Sequence, residues 1–97
     1  MNFSDIIDEV LKIIIYNGKG IEINTAGLRY GLNATNPSAE IVLRYRELGG
    51  EIITIGSDAH YSCDIGSGFD IAYDMLKSCN FKYYNIFRKR KPEFIQL

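Results

Sequence analysis

Tryptophan is absent from this 97-residue chain, histidine occurs once, and cysteine and proline occur twice each. With His60 alone, no site built wholly from this chain can use two imidazoles. Cys63 and Cys79 form no CxxC pair and no framework of close spacings, so they read as two reduced thiols of a cytoplasmic protein. Long apolar runs are also lacking: Val10–Tyr16 is interrupted by Lys12 and stops at Asn17-Gly18, which excludes a membrane span there. The opening Met1-Asn2-Phe3-Ser4-Asp5 lacks the basic start of a secretory signal. Charge of one sign is not in excess, the formal net charge being −1, so neither a nucleic-acid partner nor an acidic ligand is implied. A chain of this size buries a small core, with a thin stability margin and little room for a deep pocket.

What is present alternates between helix and strand. Ser4 has the chemistry of an N-cap, and Ile6, Ile7, Val10, Leu11, Ile13 and Ile14 recur at helical spacing as far as Tyr16, where Asn17-Gly18 is a stop signal. Gly20–Asn24 reads as a short strand with Ile21 and Ile23 on one face and Glu22 and Asn24 on the other. Thr25–Thr35 reads as a loop, and Asn36-Pro37 as the cap and first turn of a helix carrying Ile41, Val42, Tyr45 and Leu48 up to Gly49-Gly50. Glu51–Gly56 is the most strand-like stretch, apolar on both faces as in a covered parallel strand. After a loop through Asp58–Asp64, Phe69, Ala72, Tyr73 and Leu76 share one helical face, with Asn80 as a left-handed cap. Lys82–Phe87 and Glu93–Leu97 follow as strands on either side of a basic turn. The order α-β-α-β-α-β-β predicts an α/β fold of right-handed parallel units in a single partial domain spanning the whole chain, with too few strands to close a barrel.

Chemistry-bearing residues gather after the strands, at the end of a parallel sheet where ligands bind. Asp58 and His60, two apart beyond Gly56, offer a carboxylate and an imidazole to one side if strand geometry persists. That is a divalent-metal half-site, though on spacing alone a turn cap and a polar loop residue read as well. Ser57 can hydrogen-bond a ligand or cap the turn, and Cys63 is a weaker candidate for a soft ligand. Arg29, downstream of Glu22 and Asn24, has the donor fork that suits phosphate, or is a surface arginine. Gly66-Ser67-Gly68 precedes a helix, as anion-holding turns do, but is a lone GxG. The run Arg88-Lys89-Arg90-Lys91 beside Tyr83, Tyr84 and Phe87 reads as a solvated hairpin turn in preference to a single-strand nucleic-acid platform.

Taken together, Gly20–Arg29 (GIEINTAGLR), Leu48–His60 (LGGEIITIGSDAH), Gly66–Ala72 (GSGFDIA) and the tail Lys82–Pro92 (KYYNIFRKRKP) resemble the C-terminal region of histidinol-phosphatases of the PHP (polymerase and histidinol phosphatase) type. The resemblance extends from Ser4 to the end of the chain. It implies a distorted β/α barrel, incomplete here, with a cluster of divalent metals (manganese, zinc or iron) that this chain supplies only in part. It also implies hydrolysis of L-histidinol phosphate to L-histidinol and phosphate in histidine biosynthesis, a phosphorylated small molecule being the substrate. By the same resemblance Asp58 and His60 are metal ligands in the catalytic centre, Arg29 contacts the substrate phosphate, and Glu22 and Asn24 line the mouth; Ser57, from its own hydroxyl, is grouped with Arg29 as substrate-binding. The family's earlier His-x-His ligands have no counterpart, because no histidine precedes His60. Activity is therefore expected only with the N-terminal part of such an enzyme. Two other readings stand beside this one: a non-catalytic truncated module that forms a homo-oligomer through exposed strand edges, and a different PHP-type phosphoesterase.

Overall fold

In a computed structural model, residues 3–25, 36–56 and 69–97 are described. They form α1 (Phe3–Tyr16), β1 (Ile21–Asn24), α2 (Ala39–Glu47), β2 (Ile53–Gly56), α3 (Phe69–Ser78), β3 (Tyr83–Arg88) and β4 (Lys91–Gln96). The predicted α/β order is therefore observed. The strands make two two-stranded sheets, β1-β2 and β3-β4. No closed barrel is formed among the described residues.

The three helices end in the same way. Gly18 (φ 67°), Gly49 (φ 101°) and Asn80 (φ 70°) take left-handed conformations that a residue without a Cβ, or asparagine, adopts most readily. The amides that follow reach back five residues, Lys19 to Ile14 (3.0 Å), Gly50 to Tyr45 (2.8 Å) and Phe81 to Leu76 (3.0 Å). Each such bond satisfies a carbonyl that the helix end would otherwise leave without a partner. Each of these helices thus turns directly into the next strand. Gly50 has a second role: a Cβ there would run into the ring of Tyr45.

Two starts differ from expectation. Ser4 lies inside the first turn of α1, which already begins at Phe3. Asn36 does not cap α2: Ser38 occupies that position, while Asn36 pairs antiparallel with Asn24 through N–H···O bonds of 2.9 and 3.1 Å, and the Asn36-Pro37 bond is cis. Asn36 satisfies the outer edge of β1, which outweighs a side-chain cap on a helix that starts three residues later. The second strand is also shorter than Glu51–Gly56, beginning at Ile53.

β1 and β2 are parallel, with Ile21 opposite Ile53, Glu22 opposite Thr54, Ile23 opposite Ile55 and Asn24 opposite Gly56. Alternation sends Ile23 and Ile53 into the core with Leu11, Val42, Tyr45, Ala72, Leu76, Cys79 and Phe81. Tyr45 is fully buried, donates its hydroxyl to Ile52 O at 2.8 Å and stacks on Phe81 at 6.4 Å between centroids. Burial pushes its phenol pKa above the ordinary value. Arg44 grips Asp8 with two bonds of 2.8 Å and so ties α2 to α1, holding the Asp8 carboxyl below its usual range. The apolar repeat of α1 divides: Leu11 is buried and Ile7, Ile14 and Ile15 pack partly, whereas Ile6, Val10, Ile13 and Tyr16 are exposed.

The β3-β4 hairpin turns through Lys89 and Arg90, both at positive φ (50° and 66°), with Arg88 opposite Lys91. The basic run forms the expected hairpin turn, with Arg88 and Lys91 themselves belonging to the flanking strands. Asn85 joins the two sheets. Its buried side chain accepts from Ile53 N–H at 2.8 Å through Oδ1 and donates from Nδ2 to Glu93 O at 3.3 Å. A side chain thereby stands in for a ladder hydrogen bond between β2 and β3.

Candidate functional site

Helix-to-strand connections lie at the N-terminal ends of β1 and β2, so the opposite, C-terminal edge is where both strands hand over to longer intervals. Thr25, fully buried, donates its amide to Gly56 O at 2.8 Å and its hydroxyl to the same oxygen at 3.3 Å. The Asn24–Asn36 pair closes the base of the interval 26–35 from the other side. The chain thus leaves β1 after Thr25 and β2 after Gly56 from two points fastened to one another.

The face of β1-β2 turned away from the core carries Glu22, Asn24, Thr54 and Gly56. Glu22 is exposed, yet its carboxylate folds over Gly56. A Cβ on Gly56 would stand 2.6 Å from Oε1 and 3.4 Å from Oε2. A side chain at position 56 would displace the carboxylate, which is the far end of a flexible, exposed side chain. Sequence reasoning gave Glu22 and Asn24 a shared side, which the strand confirms. The contact of Glu22 with Gly56 needs the β1-β2 register and could not be read from spacing.

The residues singled out for chemistry, Arg29, Ser57, Asp58 and His60, lie outside the described residues, as do Cys63 and the glycines of 66–68. Their sequence positions place Arg29 beyond Thr25 and Ser57, Asp58 and His60 directly after Gly56, so both groups depart from the same fastened edge. Among the described residues no group of three or more His, Cys, Asp or Glu side chains could hold a metal ion. Cys79 is a buried free thiol with Sγ 3.7 Å from Ala39 O. No helix among the described residues is long and apolar enough to cross a membrane.

A concavity of about 440 Å³ lies between Arg46, Glu51, Phe81, Lys82, Tyr83 and Phe94, near the N-terminal end of β2. The Arg46 guanidinium is 5.6 Å from the Phe81 ring centroid and donates to Gly50 O at 3.2 Å, so it is committed to closing α2. This cleft is remote from the edge at Gly56.

The chain is 43% identical over 86 residues, 89% of its length, to a protein of Thermotoga maritima named probable histidinol-phosphatase. It is 48% identical over 80 residues to a protein of the same name from Clostridium acetobutylicum, and 30% identical over 95 residues to a probable phosphatase of Photobacterium profundum. The matched regions are 36%, 31% and 38% of those relatives, so the chain spans about a third of their length. No family model matches.

Proposed function

We propose that this chain is the C-terminal portion of a PHP-type histidinol-phosphatase, contributing part of the site that hydrolyses L-histidinol phosphate to L-histidinol and phosphate. The observation that carries the reading is the 43–48% identity to two proteins named probable histidinol-phosphatase, extending over most of the chain. The geometry supports it, because Glu22, the Asn24–Asn36 pair and the Thr25–Gly56 bonds all lie at one edge, from which the intervals holding Arg29 and Asp58–His60 depart.

In this reading Asp58 and His60 hold a divalent metal, a carboxylate and an imidazole being a donor set suited to manganese, zinc or iron. Such an ion would supply Lewis acidity toward a phosphoryl oxygen. Arg29 presents its donor fork to the phosphate and Ser57 a hydroxyl, both of which gain strength as charge builds on the phosphoryl oxygens. Thr25 holds Gly56 O from two atoms and thereby fixes where the segment bearing Asp58 and His60 begins. Two protein ligands are too few for a closed metal site, so the remaining donors come from the rest of such an enzyme, and the chain by itself is expected to be inactive. The exposed row Ile6, Val10, Ile13 and Tyr16 on α1 suits burial against that remainder.

The test is phosphate release from L-histidinol phosphate, with manganese or zinc supplied, by the chain alone and by the chain mixed with a polypeptide equivalent to the unmatched part of the Thermotoga maritima relative. Turnover in the mixture that is lost with Asp58→Ala or His60→Ala supports the assignment. Full turnover in both variants would sink the ligand roles. Activity on other phosphomonoesters but not on L-histidinol phosphate would leave a phosphatase of different specificity, in line with the more distant relative from Photobacterium profundum.

A further inference from the structure

We propose that the cleft between Arg46, Glu51, Phe81, Lys82, Tyr83 and Phe94 binds a free α-amino acid with an aromatic side chain. The phosphatase reading makes no use of this cleft, and the inference stands apart from it. Three observations carry it.

First, the cleft has the size and make-up of a small-molecule site. Its volume of about 440 Å³ falls within the ~300–1,000 Å³ of such sites, which combine aromatic walls with a few polar groups. Tyr83 and Phe94 meet edge to face at 6.1 Å yet stay 46% and 49% exposed, so ring surface is left for a planar group to cover. Second, charges of both signs stand unpaired. Among the described residues neither Lys82 nor Glu51 has a side-chain ion pair or hydrogen bond, whereas Lys12, Arg44 and Arg88 each have a carboxylate within reach. Third, the Arg46 guanidinium is set in place before any ligand arrives. Its bond to Gly50 O uses one of five donors and holds the group 5.6 Å from the Phe81 centroid, leaving the other N–H groups for an anion. A carboxylate alone would suit Arg46 and Lys82 but face the Glu51 carboxylate, and an amine alone would suit Glu51 but face two cations. A zwitterion answers both signs. An α-amino acid carries both charges on one carbon, with its side chain free to lie against Tyr83 and Phe94.

The experiment is an amide NMR titration of the chain with L-phenylalanine and, separately, with 3-phenylpropanoate, which lacks the ammonium, and 2-phenylethylamine, which lacks the carboxylate. The wild type is expected to bind L-phenylalanine about fivefold more tightly than either, as befits exposed ion pairs, with shifts at the Glu51, Lys82 and Phe94 amides. Glu51 and Lys82 are both exposed, so Glu51→Gln and Lys82→Gln should keep the amide dispersion of the wild type. Glu51→Gln should bring L-phenylalanine level with 3-phenylpropanoate, and Lys82→Gln should narrow its advantage over 2-phenylethylamine. Equal affinities for the three compounds in the wild type, or a preference over 3-phenylpropanoate that survives Glu51→Gln, would overturn the amino-acid site. So would shifts confined to other parts of the folded chain, or none that saturates at millimolar concentration. The phosphatase reading stands or falls separately, on phosphate release.

Discussion

Replacing Asn85 with alanine isolates the bond that holds the two sheets together. Ile53 and Asn85 are buried, so the Ile53 N–H that donates to Asn85 Oδ1 at 2.8 Å would have neither its acceptor nor water. Leaving a buried donor unsatisfied costs roughly 1–3 kcal/mol. The other half of the bridge matters less, because Glu93 is exposed and its carbonyl has access to solvent once Nδ2 is gone. A loss of about 2 kcal/mol is therefore expected, a large share of the stability of a small domain. With a urea m-value of about 1–2 kcal/mol/M, the unfolding midpoint followed by circular dichroism should fall by about 1–2 M with m unchanged. Hydrogen exchange should locate the change, with Ile53 losing protection before Ile23, its core neighbour on β1. An Asn85→Ala midpoint equal to that of the wild type, or retained protection at Ile53, would refute the bridging role.

Four further variants test other parts of the fold. Gly50→Ala should cost about 1–3 kcal/mol by forcing its methyl into the buried Tyr45 ring, measured as a shift in urea midpoint. The double change Lys89→Asn with Arg90→Gly should stabilise by about 1 kcal/mol, because both turn residues have positive φ and neither native side chain favours it. Tyr45 has a raised folded pKa, so its contribution is complete below the unfolded value of about 10 and declines as pH rises above it. Tyr45→Phe should remove that component of the alkaline decline, and an unchanged profile of stability against pH would count against the buried hydroxyl. Asp8 has a lowered folded pKa, so its contribution is present above about pH 4 and is lost as pH falls through the folded value; Asp8→Asn should flatten that part of an acid titration.

Much of this architecture was legible in the chain because its signals are local. Gly18, Gly49 and Asn80 end helices, and the alternation of Ile21 and Ile23 with Glu22 and Asn24 orients a strand, each through the conformational preference of the residue itself. Asn36 misled because its function is set by a partner distant in sequence: asparagine before proline resembles a helix start, but an edge amide on Asn24 claims it. The division of α1 into a packed and an exposed half is equally invisible to periodicity, since both rows are aliphatic and only tertiary contact separates Leu11 from Val10. Asn85 gives no sequence signal at all, as a polar residue within a strand ordinarily faces solvent. For the candidate site, the spacing of Asp58 and His60 suggested a metal pair and the family resemblance gave it a purpose. The approach of Glu22 to Gly56 emerged only from the strand register.

The uniform way in which the helices close has a practical consequence for altering this molecule. The returns after α1, α2 and α3 are brief and stitched by backbone bonds, so a residue added to any of them would pull a cap apart and shift a strand along its neighbour. At the opposite edge, Thr25 fastens Gly56, and Asn24 fastens Asn36, before the chain departs. A designer altering this molecule should therefore leave the three returns untouched.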